Sequence, residues 1–210
     1  MSSSAGSIRR PNSGGARGAH RERHLAALRA GLAASAPGSL AQGEREDLLK
    51  MREEEKMARD IYLRLFERWG LRPFENISGS EQGHMDAILA LLDHHGVPDP
   101  VQGLGVGQFR SPEIQALHDR LVQEGMHTQG TAIRAGLLIE ELDIADLRVA
   151  AGRTRRLEIL AVYADLERGS RNHLRAFHRW MRRLGIPYAP THLTEREFYS
   201  IATSAQERCH

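Results

Sequence analysis

A small set of carboxylates and imidazoles in this sequence has the spacing of metal ligands. Glu81 and His84 form a Glu-x-x-His pair. On a helix, residues three apart lie on one face, so both side chains can reach one ion. Glu55, Glu140 and His173 supply groups of the same kind elsewhere in the chain. Carboxylates and imidazoles together suit iron or manganese.

Helices must position these groups, because the composition favours helix over strand. Ala, Leu, Arg and Glu are frequent and runs of β-branched residues are lacking. Glycines, prolines and capping residues predict four long helices, with Ser39 as the first N-cap and Gln42 as its capping-box partner. The predicted ranges are 40–69 (or from 44), 73–95, 128–151 and 155–184. A loop over 97–110, a short helix over 111–125 and a terminal helix after Thr194 complete the prediction.

Each long helix has one apolar seam in which residues recur at alternating spacings of three and four. Such a seam predicts the inward face of a helix bundle. Each seam is apolar except near its middle. Glu53 and Glu54 lie off the seam of the first helix and are expected toward solvent or the flanks. The polar residues in the four seams are Glu55; Glu81 and His84; Glu140; and Ser170 and His173.

Three carboxylates that converge in a core repel one another unless cations or protons neutralise them. Two metal ions provide that charge in di-metal carboxylate bundles, where two helices supply one Glu each and the other two supply Glu-x-x-His. Here Ser170 stands where the second such motif would have its Glu. Asp143, one turn after Glu140, is the preferred replacement ligand.

Metal-free interpretations exist for each group taken alone. Glu81 can cap a helix that starts at Ser78, which leaves His84 as a core histidine. Glu55 can belong to a solvated run of three glutamates, and Glu140 can be the inner member of an exposed pair. The coincidence of these groups at mid-seam in all four helices favours a metal site.

Four blocks of the sequence resemble a ferritin-like family labelled domain of unknown function 2202. The blocks are MREEEKMARDIYLRLFERWG, FENISGSEQGHMDAILALLDHHGVPDP, GLLIEELDIADL and ERGSRNHLRAFHRWM, and the resemblance covers about 39–201. It implies an all-α fold: a ferritin-like up-down four-helix bundle with a long crossover between its second and third helices, plus short accessory helices. The narrow family brings no settled activity.

More distantly, Glu55 with Ala58, Arg59 and Tyr62 resembles the first-helix block of rubrerythrin-type proteins, in which that Glu binds iron. The wider superfamily also has counterparts of Glu81 with His84, of Glu140 and of His173. Ser170 departs from the wider pattern, which puts a standard two-iron site in question.

The sequence divides into a basic tail, residues 1–38, that is predicted to be disordered, and a bundle domain, residues 39–210. Residues 1–40 contain six arginines and one glutamate, so their charge is +5; the whole chain is +2, which leaves −3 for the rest. A basic tail can touch nucleic acid, but a solvated tail is the favoured interpretation.

Several features bound the location and the partners. A single cysteine, Cys209, cannot form an internal disulfide. No stretch approaches a membrane span, and Arg29 interrupts the best candidate for a secretory signal. We therefore expect a cytoplasmic protein, with a homodimer as one expectation for its assembly.

The leading functional prediction is a non-haem di-iron (or manganese) carboxylate protein that reacts with oxygen or peroxide, or handles iron. Such a protein would be an oxidoreductase of the peroxidase or ferroxidase type. Its predicted metal ligands are Glu55, Glu81, His84, Glu140, His173 and, as the alternate, Asp143. The competing prediction is a metal-free helical stress or interaction module, whose polar layer sets the register of the helices.

Overall fold

The structure is a computed structural model that describes residues 13–208, and over that range it contains seven helices and no strands. None of these helices is both long enough and apolar enough to cross a membrane. The helices are α1 (Ser13–Ala33), α2 (Gln42–Trp69), α3 (Arg72–His94), α4 (Pro112–Gly125), α5 (Gln129–Arg153), α6 (Leu157–Leu184) and α7 (Glu195–Ala202).

The long helices end where local chemistry stops them. Gly70 and Gly185 follow α2 and α6 with φ of 62° and 65°, the left-handed conformation that glycine adopts without strain. Thr128 caps α5 by accepting a hydrogen bond from the backbone N–H of Thr131 at 3.0 Å. The predicted N-cap Ser39 is wrong: α2 begins after Ala41, whose N–H donates to Glu44 Oε2 at 2.9 Å.

Four of these helices form the bundle that holds the polar layer. α2 packs along α3 and α5 packs along α6, and contacts between α2 and α5 and between α3 and α6 join the two pairs. The predicted seams are buried along most of their length; in α2, for example, Leu48, Ala58 and Leu65 have no exposed surface. The seam pattern therefore identified the inward faces, because periodicity within a helix follows from helix geometry alone.

The long connection between α3 and α5 crosses the outer side of α2, where charged residues hold it. Arg52 donates two hydrogen bonds to Asp99, at 2.8 and 3.1 Å. Glu53 accepts the backbone N–H of Arg110 at 2.5 Å. Of the two positions expected for Glu53 and Glu54, solvent or the flanks, the solvent alternative is wrong, since both residues are buried. They lie on the flanks of α2, where the connection covers Glu53 and α5 lies beside Glu54.

The amino-terminal region differs from the disordered tail expected for residues 1–38. Residues 13–33 form α1, which lies against α3, while residues 1–12 lie outside the described residues. In α1, Leu32 belongs to the apolar cluster that also contains Met51 and Ile88, and Leu25 and Leu28 pack against that cluster. This spacing of three and four makes a stripe that is too short to indicate a stable helix by itself, and contacts with α3 supply the remaining stabilisation.

Candidate metal centre

The site is a polar layer between two apolar clusters of the bundle. On one side of the layer, α2 and α3 contribute residues such as Ala58 and Ile77 to the first cluster. On the other side, Met51 and Ile88 belong to the second cluster. Polar groups enclosed in this way are costly to bury unless they are paired with one another or with an ion.

The first group of candidate ligands joins α2 to α3. His84 Nδ1 lies 2.8 Å from Glu81 Oε2 and 3.1 Å from Glu55 Oε2. Glu55 and Glu81 are buried, and the His84 side chain retains 12% exposure. One oxygen or nitrogen atom from each residue can be chosen so that the three atoms lie within 4.8 Å of one another. The group can therefore surround one metal ion.

The second group joins α3 to α5 and α6, and it uses Glu81 again. His173 Nδ1 lies 2.9 Å from Glu81 Oε1 and 3.4 Å from Glu140 Oε2. All three residues are buried, and their candidate ligand atoms also lie within 4.8 Å of one another. Glu81 thus directs one carboxylate oxygen toward each group, which is the arrangement of a carboxylate that bridges two ions.

Several of these close approaches are not hydrogen bonds. Both oxygens of Glu81, Oε2 of Glu140 and Nδ1 of His173 are buried and find no hydrogen-bond partner among the described residues. The atoms nevertheless lie 2.8 to 3.4 Å from their nearest neighbours in the two groups. Nitrogen and oxygen atoms that lie this close together fit a cation between them. The donor set, three carboxylates and two imidazoles, also fits iron or manganese.

Protons balance much of the charge of the metal-free layer. Burial by itself would lower the pKa of His173, but the carboxylates of Glu81 and Glu140 raise it to about 10. The carboxylates of Glu55 and Glu81 likewise raise the pKa of His84 well above its ordinary value, against the effect of burial. Because a metal-binding imidazole must give up this proton, a metal ion bound here at neutral pH would displace protons from the two histidines.

The carboxylates respond to burial in two ways. Burial raises the pKa of Glu81, yet His173 and His84 more than reverse this and hold the pKa well below its usual range. Burial raises the pKa of Glu55 to about 7 despite the neighbouring His84, and Glu81 adds to the increase. The neighbouring imidazoles therefore favour the ionised form of Glu81, the carboxylate that the two groups share.

Asp143, the predicted replacement ligand, lies beside the two groups without belonging to either. It is buried, and its Oδ2 has no hydrogen-bond partner among the described residues. Burial raises its pKa well above the ordinary value, and the charges of Glu55, Glu140 and Glu81 raise it further. Ser170 is buried as well, but its hydroxyl donates to the backbone oxygen of Leu166 at 3.2 Å and is thereby committed to its own helix.

Other acids near the site serve the fold. Glu141 is buried next to Glu140, but its Oε2 accepts the backbone N–H groups of Thr191, His192 and Leu193. These bonds hold the segment that leads into α7. Neighbouring acids in one sequence pair thus have separate partners, because successive helical residues point about 100° apart.

Three residues around the site complete its geometry. Tyr62 donates its hydroxyl to Glu140 Oε1 at 2.6 Å, as its position on the α2 seam allowed. Ser80 Oγ lies 3.0 Å from His173 Nε2 and orients that ring. Gly169 leaves room for His84: a Cβ at Gly169 would lie 2.5 Å from Nε2 of the ring. Sequence reasoning missed Ser80 and Gly169, because their roles depend on helix packing.

The residues of this site lie within a region that matches a known protein family. A family model described as "Uncharacterized protein domain (DUF2202)" matches residues 44–205, most of the bundle. The chain belongs to this family. The match contains α2 from Glu44 onward and all of α3 to α7, and therefore both groups of candidate ligands, whereas α1 lies outside it.

One relative resembles the chain over almost all of its own length. The uncharacterized protein MJ0754 of Methanocaldococcus jannaschii is 43% identical over 169 residues, which are 80% of this chain and 91% of the relative. A crystal structure of the hypothetical protein MJ0754 from Methanococcus jannaschii DSM 2661 superposes with a TM-score of 0.79 at 42% identity. It covers 81% of this chain and 97% of that one.

Proposed function

We propose that this member of the DUF2202 family is a ferritin-like, non-haem di-metal carboxylate protein that holds two iron or manganese ions. One observation carries the proposal: two three-residue groups share Glu81, and each can enclose one ion. Glu55, Glu81 and His84 would hold one ion, and Glu81, Glu140 and His173 would hold the other. Asp143 is the additional acid that would stand in for a carboxylate at Ser170.

The ions would supply one-electron redox chemistry between the +2 and +3 states, which suits oxygen or peroxide as the oxidant or the handling of iron itself. The chain's own contribution is to hold and orient the ligands and to exclude water. Tyr62 fixes one oxygen of Glu140 and leaves the other free. The imidazoles hold protons in the metal-free state and release them when they become ligands.

The first experiment is to measure the metal content of the purified protein by inductively coupled plasma mass spectrometry. Protein from iron-replete cells should contain iron or manganese near two ions per chain. The Glu81→Ala/His84→Ala double variant should contain neither ion, since it loses the shared carboxylate. The absence of bound metal from the wild-type protein, even after anaerobic loading with ferrous iron, would refute the proposal.

A metal-free helical module is the second candidate, and one observation favours it. His84 Nδ1 forms a hydrogen bond to Glu55 at 3.1 Å, so part of the layer is satisfied without a metal. In that case the layer would set the register of α2 against α3, as buried polar groups do in some helical assemblies. Glu81→Ala would then alter stability or assembly, while the metal content of both proteins would be nil.

A further inference from the structure

A second acidic set lies between the candidate metal centre and the surface, on the facing sides of α2 and α5. Glu54 and Lys50 belong to α2, and Asp143 and Asp146 belong to α5. The side-chain exposure falls from 47% at Lys50 to 23% at Asp146 and 5% at Glu54. Taken as whole residues, Glu54 and Asp143 are equally buried, each 3% exposed. The set therefore leads from solvent into the core.

A cation already occupies the outer end of this set. The ammonium group of Lys50 lies 2.8 Å from Asp146 Oδ2 and 3.3 Å from Glu54 Oε1. It thus bridges two carboxylates that face each other across the α2–α5 contact. Because nearly half of the Lys50 side chain is exposed, the ammonium group can move into solvent without disturbing the core.

The inner end of the set has no such neutralising group. Oδ2 of Asp143 is buried and has no hydrogen-bond partner among the described residues. Carboxylates near this residue include those of Glu55, Glu140 and Glu81, which belong to the centre, and that of Glu54, which belongs to the outer pair. Asp143 also lies three residues from both Glu140 and Asp146 on α5, so it shares a helix face with a residue of the centre and a residue of the outer pair.

We propose that Glu54 and Asp146 form a transient divalent-cation site at the mouth of the metal centre, with Asp143 as the next carboxylate inward. The Lys50 ammonium group fills this site until a metal ion displaces it. The inference rests on the proposed function, since an entry route for metal ions requires a metal centre at its inner end.

The physical reason for such a site is the cost of removing water from a divalent ion. A hydrated cation loses its waters reluctantly, and successive carboxylates can replace them one at a time. A cleft of one charge sign also concentrates counter-ions and raises their rate of association by 10 to 1,000-fold, an effect that salt weakens. A purely structural ion pair between α2 and α5 would have neither consequence.

The test measures Co²⁺ uptake by the metal-free, full-length protein in a stopped-flow spectrometer, using the visible absorption of bound Co²⁺. The route variant is Glu54→Gln/Asp146→Asn, which keeps side-chain size and removes the charge. Lys50→Met removes the competing ammonium group. The matched control is Asp47→Asn, since Asp47 Oδ1 pairs with Arg153 across the same two helices at 2.9 Å.

The proposal predicts that the route variant takes up Co²⁺ about tenfold more slowly at low salt. Its uptake should also depend less on salt, while the final content stays at two ions per chain. Lys50→Met should take up Co²⁺ faster than the wild type, and Asp47→Asn should match the wild type.

Equal uptake rates in all four proteins would overturn the proposal, and so would a route variant that binds fewer ions at an unchanged rate. Both results leave the di-metal function intact. If wild-type protein binds no Co²⁺, the proposed function fails and this inference fails with it.

Discussion

The space that Gly169 leaves for His84 provides a sharp test of the metal centre. In Gly169→Ala, the new Cβ would lie 2.5 Å from Nε2 and 2.6 Å from Cε1 of the ring, whereas ordinary contacts begin at 3.4 Å. The imidazole must therefore retreat by about 1 Å, which moves Nδ1 away from its 2.8 Å approach to Glu81. The group proposed to hold the first ion loses its geometry, while the atoms nearest the new Cβ include none of His173, Glu81 or Glu140.

The cost to stability should be modest. Overpacking of a core costs about 1–3 kcal/mol, and replacing a helical glycine by alanine returns about 1 kcal/mol. We therefore expect the free energy of unfolding to fall by at most about 2 kcal/mol. Displacement of a ligand should lower the affinity for the first ion by about 10- to 100-fold, which is the usual effect of disturbing the groups that orient a metal ligand.

The assay is equilibrium titration of metal-free protein with Co²⁺, together with urea unfolding. At the lowest free Co²⁺ concentration that fills both sites of the wild type, Gly169→Ala should bind only one ion per chain. Gly79→Ala is the matched control, because this α3 glycine has open space around its Cβ position. Two ions bound by Gly169→Ala with wild-type affinity would refute the assignment of His84 as a ligand.

Three further predictions concern single side chains. By mass spectrometry, Glu81→Gln should lose both ions, whereas His173→Ala should lose one. An ion retained by Glu81→Gln would contradict the role of Glu81 as a ligand shared by the two groups. Tyr62→Phe leaves a buried oxygen of Glu140 without its hydrogen-bond donor. It should lower the free energy of unfolding of the metal-free protein by about 1–3 kcal/mol in urea titrations. An unchanged free energy would count against the hydrogen bond between Tyr62 and Glu140. Arg171 holds the pKa of Glu207 near 2, below its ordinary 4.5, so Glu207 stabilises the fold fully above pH 4.5 and loses this effect as the pH falls toward 2. The difference in unfolding free energy between wild type and Glu207→Gln should shrink over that interval, and a constant difference would show that the ion pair contributes nothing.

The sequence was informative where structure depends on neighbours along the chain. Helix ends at Gly70 and Gly185 follow from the conformational freedom of glycine. The inward position of Glu55 follows from the period of the α2 seam, and the Glu81–His84 pair follows from helical spacing.

The remaining features depend on how the helices pack. The sharing of Glu81 between two groups requires α5 and α6 to meet α3 at one level, which no single helix encodes. The burial of Glu54 depends on α5, and the formation of α1 depends on α3. Gly169 was missed for the same reason, since only the neighbouring helix shows what its missing side chain makes room for.

The charged side of α2 has a consequence for how this helix tolerates change. A bundle helix usually has one buried stripe and a solvent face where most substitutions are harmless. Between residues 51 and 62, α2 holds Glu55 and Tyr62 toward the core, while Lys56 and Asp60 are buried on the opposite side and bind the backbone at Gly105 and Gly107. In a library of single substitutions, most changes in this stretch should destabilise the protein on almost every face of the helix, although its sequence is as rich in charged residues as a solvent-exposed helix.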